Sequence, residues 1–189
     1  MKEYRSRARV SGYSLWLTRT ALLCAIGILI PMVMPIRLLI EPMSFTLASH
    51  VAIFIAMFIS PASAIAVTLG TTAGFFLAGF PIVVVARAFS HIVYAVSGSV
   101  YLKKYPATAE SIWRLAVFAV VIAIIHAVAE VAAVVPFYFG GTIGEGFYAR
   151  GFVVGVIMLV GVGTIVHSIV DFAIARVIWQ PLKKALGRR

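Results

Sequence analysis

Charged residues are scarce in this sequence, and acidic residues are the scarcest among them. Aspartate, glutamate, lysine and arginine make up 12% of the 189 residues, whereas soluble domains contain about 25%. Hydrophobic residues reach 62%. A chain of this composition cannot shield its apolar surface from water, which excludes most classes of soluble enzyme.

Cysteine occurs once, as Cys24, so no disulfide can form within the chain. The sequence also lacks linear metal-ligand spacings, a nucleophile elbow and a Walker-type phosphate loop. We therefore expect no metal, no cofactor and no ATP hydrolysis by the chain itself. These absences predict that the chain is not an enzyme.

Long apolar runs take up most of the chain. A helix needs about 20 residues to cross the hydrocarbon layer of a membrane. The sequence predicts an all-α membrane protein with a single domain over residues 1–189, a bundle of six transmembrane helices. The predicted spans are residues 15–35, 43–59, 61–79, 81–102, 113–139 and 148–179, with Pro181 ending the last. Loops are predicted at 36–42, 103–111 and 140–146.

Basic residues flank the spans and do not form a face interleaved with aromatic residues. The formal net charge of +10 therefore predicts orientation in a lipid bilayer and no binding to nucleic acid. One side of the predicted bundle carries only Arg37 and Arg150. This asymmetry places both termini in the cytoplasm and predicts a multi-pass protein of the bacterial cell membrane. The thirteen basic residues on the cytoplasmic side are Lys2, Arg5, Arg7, Arg9, Arg19, Lys103, Lys104, Arg114, Arg176, Lys183, Lys184, Arg188 and Arg189.

A few ionisable residues interrupt the apolar spans, where a charged side chain costs roughly 2.5–3.5 kcal/mol at the helix centre. Three pairs have i,i+4 spacing, so each pair lies on one helical face. Arg87 lies six residues after Pro81, or about 9 Å into the membrane. The pairs are Arg87/His91, His126/Glu130 and His167/Asp171, and His50 lies alone in the second span.

The depths of these residues predict one cavity that opens to the outside. The candidate substrate-binding residues are Arg87, Ser90, His91, Tyr94, His126, Glu130 and His50. His167 and Asp171 are placed in the inner half of the last span, too far in depth to join the others, as a histidine satisfied by its acidic neighbour.

Arg87 is the most exceptional residue of the candidate site, because guanidinium can hold a carboxylate through two hydrogen bonds. The alternative is an internal salt bridge between Arg87 and Glu130. For His126 and Glu130, contact with a ligand and simple pairing are both open. His50 also has a second interpretation, as a packing or loop-anchoring residue.

Small residues at helical spacing allow close approach of helices, as at Gly70 and Gly74. The same spacing occurs in the first span, where Ala21 and Ala25 enclose Leu-Leu-Cys. This alanine motif, six spans and the length of the chain resemble the substrate-binding S components of energy-coupling factor (ECF) vitamin transporters. The stretches 44–54 (SFTLASHVAIF) and 69–76 (LGTTAGFF) are similar to the pantothenate or niacin branch.

The resemblance implies a mechanism and partners. The S component would bind a vitamin from outside and topple on a transmembrane coupling subunit, EcfT, driven by two ATPase subunits, EcfA. Ala21 and Ala25 would contact EcfT. Both candidate vitamins carry a carboxylate for Arg87, and pantothenate also offers hydroxyl and amide groups for His91, His126, Glu130 and Tyr94. Pantothenate is the substrate we expect, with niacin as the alternative.

Two other classes remain open from the sequence. An intramembrane enzyme would use His126/Glu130 or His167/Asp171 for acid–base chemistry, although no nucleophile accompanies either pair. A purely structural membrane subunit would leave Arg87 with no role beyond pairing. Co-purification with a transmembrane partner and two ATPases distinguishes an S component from both.

Overall fold

The computed structural model of the chain describes residues 2–40, 43–141 and 145–186. They form a bundle of helices with one two-stranded β-hairpin. In chain order the elements are α1 (Lys2–Val33), β1 (Arg37–Ile40), β2 (Met43–Thr46), α2 (Val51–Ile59), α3 (Pro61–Leu77), α4 (Ile82–Lys104), a 3₁₀ helix (Pro106–Glu110), α5 (Ile112–Phe139), α6 (Glu145–Ala149), a π-helical segment (Val153–Val162) and α7 (Gly163–Ala185).

Four helical stretches in the described part of the chain are long and apolar enough to cross a membrane: Gly12–Val33, Ile82–Lys104, Ile112–Phe139 and Val153–Ala185. The apolar helix α3 has 17 residues, at the lower end of the range that spans a bilayer. The prediction of an all-α membrane protein is confirmed. However, α2 has only nine residues, or about 14 Å, and cannot cross a bilayer as a helix.

The short helix α2 lies at the centre of the bundle. All its residues from Val51 to Met57 are buried, and it packs against α1, α3, α4 and α7. A helix that is apolar on every side requires such enclosure. The Phe54 ring packs against Tyr94 and Phe172, with ring centroids 5.3 Å apart in both pairs. This central helix fixes the positions of the surrounding helices.

The segment between α1 and α2 is an antiparallel hairpin, in which Arg37 pairs with Thr46. Residues 41 and 42, in the predicted loop 36–42, lie outside the described residues. The prediction of a continuous second span over 43–59 is wrong, because residues 43–46 form β2 and α2 begins only at Val51. Ser44, Thr46, Ser49 and His50 interrupt this run, but a short, partly apolar strand cannot be distinguished from helix by hydropathy alone.

Helices α1 and α3 approach closely at glycines of α3. A Cβ atom on Gly70 would lie 2.7 Å from Cys24 Sγ, and one on Gly74 would overlap the Ile28 side chain. The prediction that Gly70 and Gly74 allow close helix packing is confirmed. On α1, Gly27 faces Thr71 in the same way, because a Cβ atom on Gly27 would lie 2.6 Å from Thr71 Oγ1.

The last predicted span, 148–179, differs from the structure at both ends. A short helix ends at Ala149, Gly151 adopts a left-handed conformation with φ +70°, and the long helix extends to Ala185. Pro181 lies inside that helix, so the prediction that it ends the span is wrong. The fixed φ angle of proline is compatible with a helix. Proline removes one N–H donor and causes a local clash, and a helix tolerates both near its end. Of the predicted loop 140–146, residues 142–144 lie outside the described residues.

The helix start predicted at Ser60 and Pro61 is confirmed. The Ser60 Oγ atom accepts a hydrogen bond from the Ser63 N–H at 3.1 Å, and Pro61 occupies the first turn. The orientation of the two termini relative to the membrane stays a prediction.

Candidate functional site

The carboxylate of Glu130, on α5, is the acceptor for groups from three helices. Arg87 donates to Oε2 from Nη2 at 2.9 Å and from Nε at 3.3 Å. Thr164 donates to the same oxygen at 2.6 Å, and His91 Nε2 lies 3.0 Å from Oε1. His126 Nε2 lies 3.5 Å from Oε1, one helical turn before Glu130. The salt bridge considered from the sequence is therefore present, and Glu130 is almost fully buried.

The carboxylate of Asp171, on α7, anchors the start of α2. Its Oδ1 atom accepts the N–H of Ala48 at 2.8 Å, and Oδ2 accepts the N–H of His50 at 2.9 Å. The ring of His50 also contacts Oδ2 through Nδ1 at 3.1 Å. An acidic group near a helix N-terminus satisfies N–H groups that have no partner within the helix. Asp171 thereby holds Ala48 in its left-handed conformation, φ 66°.

All four histidines of the chain meet between Glu130 and Asp171. The ring centroid of His50 lies 4.7 Å from that of His91, 4.8 Å from that of His126 and 4.9 Å from that of His167. Each of these contacts is edge-to-face, and His91 and His126 are themselves 4.8 Å apart. The site is a buried histidine cluster bounded by two carboxylates.

The structure corrects the predicted separation of His167 and Asp171 from the other polar residues. His167 Nε2 lies 3.3 Å from Asp171 Oδ2, as the pairing predicted, and it also lies 3.1 Å from Ser49 Oγ. The last membrane-crossing helix begins only after Gly151 and extends past residue 179, so His167 lies nearer its middle than predicted. The turn before α2 brings His50 beside His167. A prediction based on continuous spans could not include this turn.

A cavity of about 130 Å³ lies beside the cluster, between the hairpin and helices α1 to α5 and α7. Its polar wall combines Arg87 with Glu130 and the histidines. Aromatic and aliphatic residues make up the rest of the lining. The polar lining residues are Thr46, Ser49, His50, Thr71, Arg87, His91, Glu130 and His167, and the aromatic ones are Phe45, Phe75 and Phe80.

Arg87 is suited to receive a further acceptor from the cavity. Both of its hydrogen bonds within the described part of the chain go to one oxygen of Glu130, although guanidinium has five N–H donors. Its side chain keeps 11% of its surface exposed, against 3% for Glu130. Thr71 also lines the cavity; its hydroxyl is buried towards Gly27 of α1 and, among the residues described, has no hydrogen-bond partner. Sequence reasoning missed Thr71, whose polarity is ordinary in an apolar helix.

The other predicted site residues lie at different distances from the cavity. His50 and His91 line it, whereas His126 is fully buried behind them. Tyr94 is fully buried against the His126 ring, with centroids 4.3 Å apart. Ser90 donates to the backbone oxygen of Arg87 at 2.7 Å, so its hydroxyl supports the helix. The roles of all seven residues in binding stay predictions.

Ala21 and Ala25 lie on the exposed face of α1. The opposite face of this helix, with Thr20, Leu23 and Gly27, is buried. The two alanines are therefore exposed in the described bundle, and the face that they form can meet a partner or lipid.

Side chains of types that can hold a metal ion converge in the cluster, although no linear metal-ligand spacing indicated them. One donor atom each of His50, His91, His126 and Glu130 lies within 4.8 Å of the others, and His50, His167 and Asp171 form a second such group. The donors come from α4, α5, α7 and the turn before α2, so the fold is needed to bring them together.

Comparison with known proteins identifies a relative. The protein described as Niacin transporter NiaX from Lactococcus lactis subsp. cremoris (strain MG1363) is 39% identical over 166 residues, which are 87% of this chain and 73% of that protein. No model of a protein family matches the chain, and no solved structure matches it. The relative is a transporter, which agrees with the prediction that the chain is not an enzyme. The prediction of the pantothenate branch is not supported, and the niacin alternative fits better.

Proposed function

This chain belongs to the NiaX family of ECF-transporter S components, and from this premise we propose that it is a niacin-binding subunit of a vitamin importer in the bacterial cell membrane. The observation that carries the proposal is Arg87, which lies at the wall of a small, partly aromatic cavity with guanidinium donors to spare.

The carboxylate of niacin is the group that Arg87 would hold. An arginine in a desolvated site favours a carboxylate because two N–H groups can bind its two oxygens. Glu130 takes only one side of the guanidinium in the ligand-free protein. A niacin carboxylate would lie on the cavity side of Arg87. The Thr71 hydroxyl, which is unpaired among the described residues, would turn from Gly27 towards the ligand and provide a neutral hydrogen bond.

The size and lining of the cavity favour a single aromatic ring. A cavity of about 150 Å³ in another protein accommodates benzene, so a volume of about 130 Å³ suits one six-membered ring with modest adjustment. Phe45, Phe75 and Phe80 supply aromatic surface for the pyridine ring. Aromatic pairs prefer offset or edge-to-face contacts, and the Phe45 ring already stacks on His167 at 4.7 Å.

Transport would require an energised module, which this chain lacks. We propose EcfT and two EcfA subunits as that module, with the exposed face of α1 at Ala21 and Ala25 contacting EcfT. Small side chains on that face allow a helix of the partner to approach closely. The cavity lies against the hairpin, which is on the predicted outer side, so delivery inward would follow toppling of the whole bundle.

Uptake of labelled niacin tests the proposal. Cells without niacin uptake of their own would express this chain together with EcfT and EcfA, or each part alone. We expect uptake only when all parts are present, and excess unlabelled pantothenate should not compete with it. Uptake by the module without this chain, or none with the complete set while the assembled complex can be purified, would contradict the proposal.

A further inference from the structure

The histidine cluster contains more donor atoms than a carboxylate clamp needs. One ring nitrogen of each of His50, His91 and His126, together with a Glu130 oxygen, lies within 4.8 Å of the others, and all four residues are buried. We propose that this set binds one divalent transition-metal ion, such as Zn²⁺ or Co²⁺, at the floor of the cavity.

The type and number of donors agree with such an ion. Three imidazoles and one carboxylate form a four-ligand tetrahedral set for Zn²⁺, with bonds of about 2.0–2.2 Å. Those bonds place neighbouring donor atoms about 3.4 Å apart. The described donors are within 4.8 Å of each other, so side-chain movements on the order of 1 Å would close the set.

The histidine rings are already oriented by other side chains, as in metal centres. His50 contacts Asp171 Oδ2 through Nδ1 at 3.1 Å, and His126 contacts Ser168 Oγ through Nδ1 at 3.2 Å. Ligand histidines in proteins commonly use one ring nitrogen for such a contact and the other for the metal. This leaves Nε2 of His50 and of His126 for the ion.

An unpaired ring nitrogen points to a missing partner. His126 is fully buried, and its Nε2 atom lies 3.5 Å from Glu130 Oε1 without forming a hydrogen bond to it or to any other atom within residues 2–40, 43–141 and 145–186. The Nδ1 atom of His91 is likewise unpaired and buried. Buried polar atoms nearly always have a partner, and a metal ion would provide one for His126 Nε2.

The charges of the site give a further argument, which rests on the proposed function. With ionised carboxylates and neutral imidazoles, Arg87, Glu130 and Asp171 sum to a charge of minus one. A niacin carboxylate would make the net charge of the site minus two. In a buried site an unpaired charge is energetically unfavourable. A divalent cation would make the ligand-bound site neutral. The ion would therefore strengthen the binding of an anionic ligand.

Metal titration of the purified chain tests the proposal. The protein would be in a Cys24→Ser background, without a histidine tag, and stripped with a chelator before calorimetry with Zn²⁺ and spectroscopy with Co²⁺. We expect one Zn²⁺ per chain with micromolar or tighter affinity, and a tetrahedral Co²⁺ spectrum. Failure of this folded protein to bind Zn²⁺ would overturn the proposal.

Single substitutions assign the ligands. His126→Gln and His50→Gln should each weaken Zn²⁺ binding at least thirtyfold, whereas His167→Gln, the matched histidine outside the proposed set, should change it less than threefold. Melting curves show which variants are folded, and if none folds the Co²⁺ spectrum of the parent protein decides. Loss of the ion in His167→Gln with retention in His126→Gln would overturn the assigned ligand set.

Niacin calorimetry on stripped and Zn²⁺-loaded protein separates this proposal from the proposed function. Stripping should weaken niacin binding at least tenfold, and Zn²⁺ should restore it. Undiminished binding by the stripped protein would overturn the role of the ion while niacin binding stands. Stoichiometric Zn²⁺ binding without niacin binding in either form would support the metal site and refute niacin as the ligand.

Discussion

Replacement of Arg87 by alanine should weaken ligand binding and lower stability, and the two losses can be measured separately. The guanidinium contacts Glu130 Oε2 at 2.9 Å and 3.3 Å, and both side chains are largely buried. Removing one partner of a buried pair costs about 3–5 kcal/mol. Glu130 would keep Thr164 and His91 as partners, so we expect the lower end, about 3 kcal/mol of stability.

The loss of ligand affinity follows from the hydrogen bonds to the carboxylate. Each hydrogen bond to a charged group contributes about 1.5–3 kcal/mol, and two such bonds give at least about 3 kcal/mol. Since about 1.4 kcal/mol is a factor of ten, Arg87→Ala should weaken niacin binding by at least roughly a hundredfold. Arg87→Lys should restore part of it, because ammonium keeps the charge but not the planar fork.

Calorimetry of niacin binding and thermal unfolding of the same detergent-solubilised proteins measure both effects. Arg176→Ala is the matched control, because Arg176 donates to the Ala109 backbone oxygen and does not line the cavity. The double variant Arg87→Ala/Glu130→Gln removes the unpaired charge and should recover stability without recovering affinity. Full niacin affinity in the folded double variant would refute the carboxylate clamp.

Three further predictions concern other parts of the chain. Thr71→Val should weaken niacin binding about threefold to tenfold with little change in stability, since it removes one neutral hydrogen bond worth about 0.5–1.5 kcal/mol; unchanged affinity by calorimetry would place the hydroxyl outside the ligand contacts. Asp171→Asn should lower the unfolding midpoint by several degrees, because the charged acceptor for the Ala48 and His50 N–H groups is lost, and an unchanged melting curve would contradict the anchor. Ala21→Trp/Ala25→Trp should abolish niacin uptake while the isolated protein binds niacin normally; loss of binding would indicate a packing role instead.

The helices could be predicted because a segment that crosses a membrane must be predominantly apolar over about 20 residues. Continuous apolar runs located α3, α4 and α5 to within two residues at each end, whereas α1 begins at Lys2, thirteen residues before the predicted span. The hairpin could not be predicted because no proline or glycine separates Met43–Thr46 from the apolar helix that follows. The turn between β2 and α2 is held by the carboxylate of Asp171 on α7, which is 121 residues from His50 along the chain. Local sequence carries no signal of such a contact.

The candidate site, too, could be predicted from the sequence only in part. Residues that are too polar for hydrocarbon identified Arg87, His91, His126 and Glu130, and the structure does bring these four together. Their polarity could not reveal which atoms face the cavity, so Ser90 and Tyr94 were grouped with Arg87. The convergence of His167 with His50 depends on where the last helix begins, and a left-handed glycine at residue 151 sets that position.

The binding of niacin to the isolated chain tests the central claim most directly. Calorimetric titrations of niacin, nicotinamide and pantothenate into the same purified, Zn²⁺-loaded protein compare an aromatic carboxylate, the same ring without the negative charge, and a longer carboxylate. We predict one niacin bound per chain, with nicotinamide at least tenfold weaker and pantothenate without measurable binding. Tight binding of pantothenate, or equal affinity for niacin and nicotinamide, would contradict a niacin site built around Arg87.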